Sequence, residues 1–154
     1  MRRAGIPRMA AVLGLLTALV TGCASETETY CGDLAERRAE LTELAASPEP
    51  DALQETLGVL GDLRDAAPPD IEDEWSTLVF AYETLVDAFD AAGTSPDEYD
   101  PADPPEGVSE PEARRIEGAA AELGSRRVLT AADGLEQHAR DVCDVDLGLA
   151  SGRG

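Results

Sequence analysis

Three cysteines, one histidine and 32 carboxylates are the side chains of this 154-residue chain from which chemistry could be built. Cys31 and Cys143 stand near the two ends of its polar body, and Cys23 directly follows an apolar run. If Cys23 is modified, Cys31 and Cys143 remain as an even pair, which in an oxidising compartment favours a disulfide between them. Two free thiols, or a bridge to another chain, are the alternatives. Within one chain the bridge would close nearly the whole domain, and a loop of about 100 residues is worth on the order of 4 to 5 kcal/mol in the chain-entropy model. A structural zinc normally takes four ligands, and two cysteines with the single histidine, His138, fall short of that set. A serine or cysteine nucleophile needs a positioned base. His138 instead sits at the edge of an apolar stripe, three residues after Leu135, where a boundary histidine is expected.

Carboxylates are abundant, but abundance is not a site. Glycoside cleavage by two acids needs one of them in an apolar setting that raises its pKa, and no such pairing is visible in the sequence. The acids around Tyr99 do not follow the spacing of a calcium loop, and a solvated linker is the better reading there. Gly58, Gly61, Gly93 and Gly107 are isolated, so no glycine-rich loop is present to cradle a phosphate. The expectation is a chain with no catalytic residues, no cofactor and no metal.

The run before Cys23 decides the chain's address. Arg2, Arg3 and Arg8 precede Met9 to Val20, an apolar stretch shorter than the roughly 20 residues that span a bilayer. A charged start and a short apolar middle make an export signal. Its end, Val20-Thr21-Gly22-Cys23, resembles the bacterial lipobox. The resemblance implies a diacylglycerol thioether on Cys23, removal of residues 1–22, and anchoring at the extracellular face of the cytoplasmic membrane. Two or more acyl chains hold stably at about 0.8 kcal/mol per buried CH₂. Ordinary cleavage after Ala24, releasing a soluble protein, is the alternative.

Composition narrows the partners. The chain carries 12 basic and 32 acidic residues, and loss of three arginines with the signal leaves 9 against 32, a net charge of −23. No basic cluster exceeds two adjacent arginines, so nucleic acid is not an expected partner. A solvated anionic surface on a monomer is the simplest reading.

The positioning elements read as helices. Residues 23–29 form a lipidated cysteine and a polar tether reaching at most about 20 Å. The helical domain then runs from 30 to 147, and 148–154 form a flexible tail. Tyr30, Leu34, Leu41 and Leu44 mark the first helix, with Asp33 and Arg37 paired on its wet side. Leu53, Leu57, Leu60 and Leu63 mark the second, which is weakened by Gly58 and Gly61 unless close packing uses their small size. The third, over 70–92, opens on four acids and carries Trp75, Leu78, Tyr82, Leu85 and Phe89 as the central helix. Its ladder of Trp75, Tyr82 and Phe89 is either packed core or the wall of a ligand groove. An acidic, proline-rich loop over 94–108 follows. Ser109 to Glu112 fits a capping box. Two helices out of phase across Gly124-Ser125 then carry Ile116, Ala119 and Leu123, and Val128, Ala132, Leu135, Ala139 and Val142.

These elements give an all-α bundle of four to five helices around helix 70–92. Tyr30-Cys31 after a short tether, and the closing Val142-Cys143-Asp144-Val145-Asp146-Leu147, are similar to small helical lipoproteins of actinobacteria. The resemblance implies a lipid-anchored helical domain with a terminal bridge and no catalytic motif; it departs at Asp144, where glycine is usual. The functional expectation is a non-catalytic binding or scaffold module for an envelope protein or ligand. A cell-wall hydrolase using paired carboxylates, or a weak cation binder, are the alternatives.

Overall fold

The computed structural model describes residues 21–47 and 49–148. Residues 1–20, which hold most of the expected signal peptide, residue 48, and residues 149–154 of the expected tail lie outside them. Five helices are present: α1 Thr21–Ala46, α2 Ala52–Ala66, α3 Glu72–Ala92, α4 Glu110–Leu123 and α5 Arg126–Cys143. No strand occurs among the described residues, so the fold is the all-α bundle its periodicities predict. No described helix is long and apolar enough to cross a membrane.

Each boundary has a local cause. Pro68-Pro69 follows α2 directly, and proline disfavours helical backbone in the residue before it. Gly93 ends α3 in the left-handed region at φ 61°, where lack of a Cβ removes the steric penalty. At the start of α4 the Ser109 backbone N–H donates to the Glu112 carboxylate at 2.8 Å, as the capping box requires. That bond and one from the Ser109 hydroxyl hold the Glu112 carboxyl below its ordinary range. The phase break at Gly124-Ser125 is a true break, with Ser125 Oγ accepting from the Val128 N–H to cap α5.

α3 packs against α2, α4 and α5, while α1 packs against α2 and α5. Helices α1, α2, α3 and α5 thus form a ring in which α1 and α3 lie diagonally, and α4 is laid outside against α3 and α5. The ring is closed by the Cys31–Cys143 disulfide, whose Cα atoms are 5.1 Å apart and which joins α1 to α5. The larger core gathers Tyr30, Leu34, Leu63, Trp75 and Leu135 near this end, and a second cluster holds Leu85, Phe89 and Ile116.

Three expectations are corrected. The stretch expected as an extended tether is helical, because α1 begins at Thr21. Nothing from Ala24 to Thr29 breaks a helix, and extending one costs far less than starting one. Arg37 pairs with Glu40 of its own helix at 2.8 Å and with Asp62 of α2 at 2.9 Å rather than with Asp33, so that two carboxylates share the guanidinium. Val142, expected on the buried face, is 50% exposed. The inner face of α5 is Val128, Ala131, Leu135, Glu136 and Ala139, a rotation that turns Val142 to solvent.

Candidate functional site

α1 has no contact with α4, so the slot between them is bounded below by α2 and α3 and left unfilled. It is a pocket of about 920 Å³. That lies at the upper end of the roughly 300–1,000 Å³ typical of small-molecule sites.

Its floor comes from α3, where Trp75, Leu78, Tyr82, Leu85 and Phe89 recur along one face. The ladder of Trp75, Tyr82 and Phe89 therefore lines a cavity rather than closing on itself. One wall is Leu41 and Leu44 of α1 with Leu53 and Leu60 of α2, and the other is Ile116 and Ala120 of α4 with Tyr99 of the acidic loop. After α5 the chain turns back, so that Leu147 also reaches the wall. Two aromatic contacts set the shape. The Trp75 indole N–H donates to the Tyr30 hydroxyl at 2.9 Å, which fixes the ring at the floor. Tyr99 meets Phe89 edge-on with ring centres 5.9 Å apart.

Polar groups gather at the mouth. Arg38, Thr42, Glu49 and Asp97 line it and are exposed. Burial pushes the Tyr82 phenol above its ordinary range, and burial with the nearby Glu117 does the same to Tyr99. Both hydroxyls are therefore neutral near pH 7. Apart from the hydroxyls of Ser47 and Thr56 the remaining lining is mostly hydrocarbon, which offers a ligand desolvation and shape rather than a reacting group.

The other residues singled out in the sequence lie elsewhere. Cys23 is the third residue of α1, and its side chain is outside the described residues. Cys31 and Cys143 are joined to each other, so neither is a free thiol. His138 packs edge-on against Tyr30, ring centres 5.8 Å apart, with Nε2 3.6 Å from an Asp70 oxygen and Nδ1 without a hydrogen-bond partner. It does not line the pocket. In the acidic loop, Asp97 accepts from the Ser95 hydroxyl at 2.6 Å and Asp100 from the Ala102 N–H at 2.8 Å, so both brace the loop's own turns. No group of three or more His, Cys, Asp or Glu side chains among the described residues is arranged to hold a metal.

Sequence reasoning missed the wall from α1 and α2, and it missed Glu49 and Asp97 at the mouth. It also missed Glu136, a core residue 2% exposed, with Arg140 Nε 3.7 Å away. Only the α3 ladder carried a readable signal, because residues seven apart on a helix share a face. No family model, curated protein or solved structure matches the chain. What fold and site define is a disulfide-closed helical bundle with a largely apolar pocket of ligand size.

Proposed function

We propose that this chain is a non-catalytic, lipid-anchored module at the outer face of the cytoplasmic membrane that holds a small apolar ligand between α1, α2, α3 and α4. The observation that carries the reading is the pocket itself: about 920 Å³ left open between the apolar faces of α1, α2, α3 and α4. A scaffold that bound partners only by its surface would have no reason to forgo that burial, which is worth about 25 cal/mol per Å² of apolar area. Hydrocarbon lining also suits an apolar ligand better than a sugar, whose hydroxyls need several fixed hydrogen-bond partners. This favours the module over a cell-wall hydrolase.

The anchor and the pocket fit one arrangement. Cys23 lies near the start of α1, and the pocket's first α1 residues follow about 15 to 18 residues later, roughly 25 Å along the helix axis. A lipid on Cys23 thus puts the ligand site on the far side of the domain from the bilayer, facing the envelope.

Two measurements test the reading. In intact bacterial cells, wild-type chain should sediment with membranes and incorporate a labelled fatty acid, and Cys23→Ser should do neither. A processed form beginning at Ser25 and free in the medium would overturn the anchor. For the pocket, a neutral naphthylamine dye should quench the only tryptophan, Trp75, by energy transfer. Ala45→Phe with Ala120→Phe, both at exposed positions of the lining, should abolish that signal while leaving the helical circular dichroism unchanged. Unchanged dye binding in the double variant would remove the pocket from the function.

A further inference from the structure

We propose that the ligand is a cationic amphiphile, with its apolar body against the α3 aromatic ladder and a protonated amine at the mouth beside Glu49 and Asp97. This rests on the reading that the pocket holds a ligand, and it adds the chemistry of the head. Hydrogen-bond accounting at the mouth supports it. The Thr42 hydroxyl donates to the Arg38 carbonyl at 2.9 Å and the Thr56 hydroxyl to the Ala52 carbonyl at 2.7 Å, so both have spent their hydrogens on their own helices. What they still offer a ligand is lone pairs. The Gly148 N–H is likewise spent on Asp146 at 2.9 Å, and the Tyr99 hydroxyl on the Ala113 carbonyl at 3.4 Å. With these hydrogens spent, the mouth presents several acceptors, two of them carboxylates, beside the donors of the Arg38 guanidinium and the Ser47 hydroxyl, whose oxygen accepts from the Glu49 N–H.

Charge points the same way. Arg38 is the one basic residue among the pocket's described lining residues, against Glu49 and Asp97. The whole chain adds a field of net charge −20. An anionic head would meet that field on approach and two carboxylates on arrival. A cation would be steered in by the first and held by the second. The apolar walls sharpen the effect, because a charge at the edge of a low-dielectric cavity is screened less than one on an open surface. Below the mouth, Tyr82 and Phe89 line the pocket and add the attraction of aromatic rings for a nearby cation. Each exposed carboxylate is expected to contribute about three- to tenfold in affinity.

The test compares three probes that share a twelve-carbon chain and differ in the head: dodecylamine, dodecanol and dodecanoate. Each is titrated into the full mature chain below its micelle concentration and followed by Trp75 emission and by calorimetry. The expected order is amine tightest, alcohol about tenfold weaker, carboxylate weaker again, with only the amine losing affinity at 0.5 M salt. Glu49→Gln with Asp97→Asn should bring the amine down to the alcohol's affinity and leave the alcohol unchanged. Carboxylate binding as tight as the amine, or an amine preference that survives the double variant, would overturn the head assignment while leaving the pocket standing. Amine binding that persists when Ala45→Phe and Ala120→Phe block the mouth would mark adsorption to the acidic surface and equally overturn it. If none of the three probes moves Trp75 emission, the pocket reading fails and the head assignment falls with it.

Discussion

The two ends of α1 are built from the same residue types and end in opposite states. Near its start, Tyr30 and Leu34 are 1% and 0% exposed and pack against Leu63, Trp75 and Leu135 in a filled core. Near its end, Leu41 and Leu44 are only half-buried, touching the core on one side and lining the open slot on the other. Hydrophobicity does not separate them, since leucine serves at both. The difference is the neighbour on the α5–α4 side. At the filled end the disulfide holds α5 against α1, and at the hollow end α4 is next in space but makes no contact. Closure of a bundle layer thus depends on a strap or a fourth helix as well as on apolar stripes.

The strap is the place to break this comparison with the largest effect. Cys31→Ser with Cys143→Ser, or reduction of the wild type, should lower the unfolding free energy by roughly 4–5 kcal/mol, because the bridge closes a loop of more than 100 residues. Urea melts with and without reductant measure it. A loss under about 1 kcal/mol would mean that packing alone holds α1 to α5.

Leucine truncations at the two ends come next. Leu34→Ala removes a side chain with no exposure and leaves a cavity in a filled core, at an expected cost of about 2–5 kcal/mol. Leu53→Ala removes a half-buried side chain that already faces open space, and its cost should be about 1 kcal/mol. The two variants should separate clearly in urea midpoint. Equal costs would show that the slot is closed in solution.

The helices were legible in the sequence because their signals are local: Pro68-Pro69, Gly93, the Ser109 to Glu112 box and the phase change at Gly124-Ser125 each act within a turn of where they stand. The central place of α3 followed from its long apolar face. The Cys31–Cys143 bridge was the pairing the sequence favoured over free thiols or a bridge to another chain, and the structure has it. Half of the site was legible too, as the ladder of Trp75, Tyr82 and Phe89. The facing wall was not. Leu41, Leu44 and Leu53 make the stripes a filled core would make, and a stripe does not show that α1 and α4 stay out of contact. Val142 failed for a related reason, since a stripe read at fixed spacing does not show how far the last turn of α5 rotates. The start of α1 was misjudged because a polar sequence was read as a tether ahead of the helix, although nothing in it stops a helix.

A single hydroxyl at the filled end gives a smaller effect. Tyr30→Phe deletes the acceptor for the buried Trp75 indole N–H and leaves it without a partner, at a cost of about 1–3 kcal/mol. The same hydroxyl gives the alkaline limb of stability its sign. Burial raises the Tyr30 phenol above the ordinary value of 10.0, and the Trp75 hydrogen bond only partly offsets this. The unfolded chain therefore ionises first, so the contribution is intact below pH 10 and is lost as pH rises through the folded-state value. Tyr82, raised by burial at the pocket, behaves alike. Unfolding curves from pH 8 to 11 should show a shallower alkaline loss in Tyr30→Phe than in wild type.

The smallest expected changes are gains, and they come from glycines in the wrong places. A Cβ added at Gly58 or Gly61 of α2 would meet nothing within 4 Å, so neither residue serves a close approach. Gly58→Ala and Gly61→Ala should each stabilise by about 0.5–1 kcal/mol, because alanine gives up less backbone freedom on entering a helix. Asp144 is the mirror case. It caps α5 in the left-handed region at φ 55°, with its N–H bonded to the Ala139 carbonyl, a conformation that glycine adopts without a Cβ penalty. Asp144→Gly should therefore gain a similar amount at the strapped end. A triple variant whose gains add would show that these positions act independently of the slot. If instead α2 stiffened by Gly58→Ala and Gly61→Ala weakened dye binding, the same glycines would be revealed as the compliance that lets α2 move aside for a ligand.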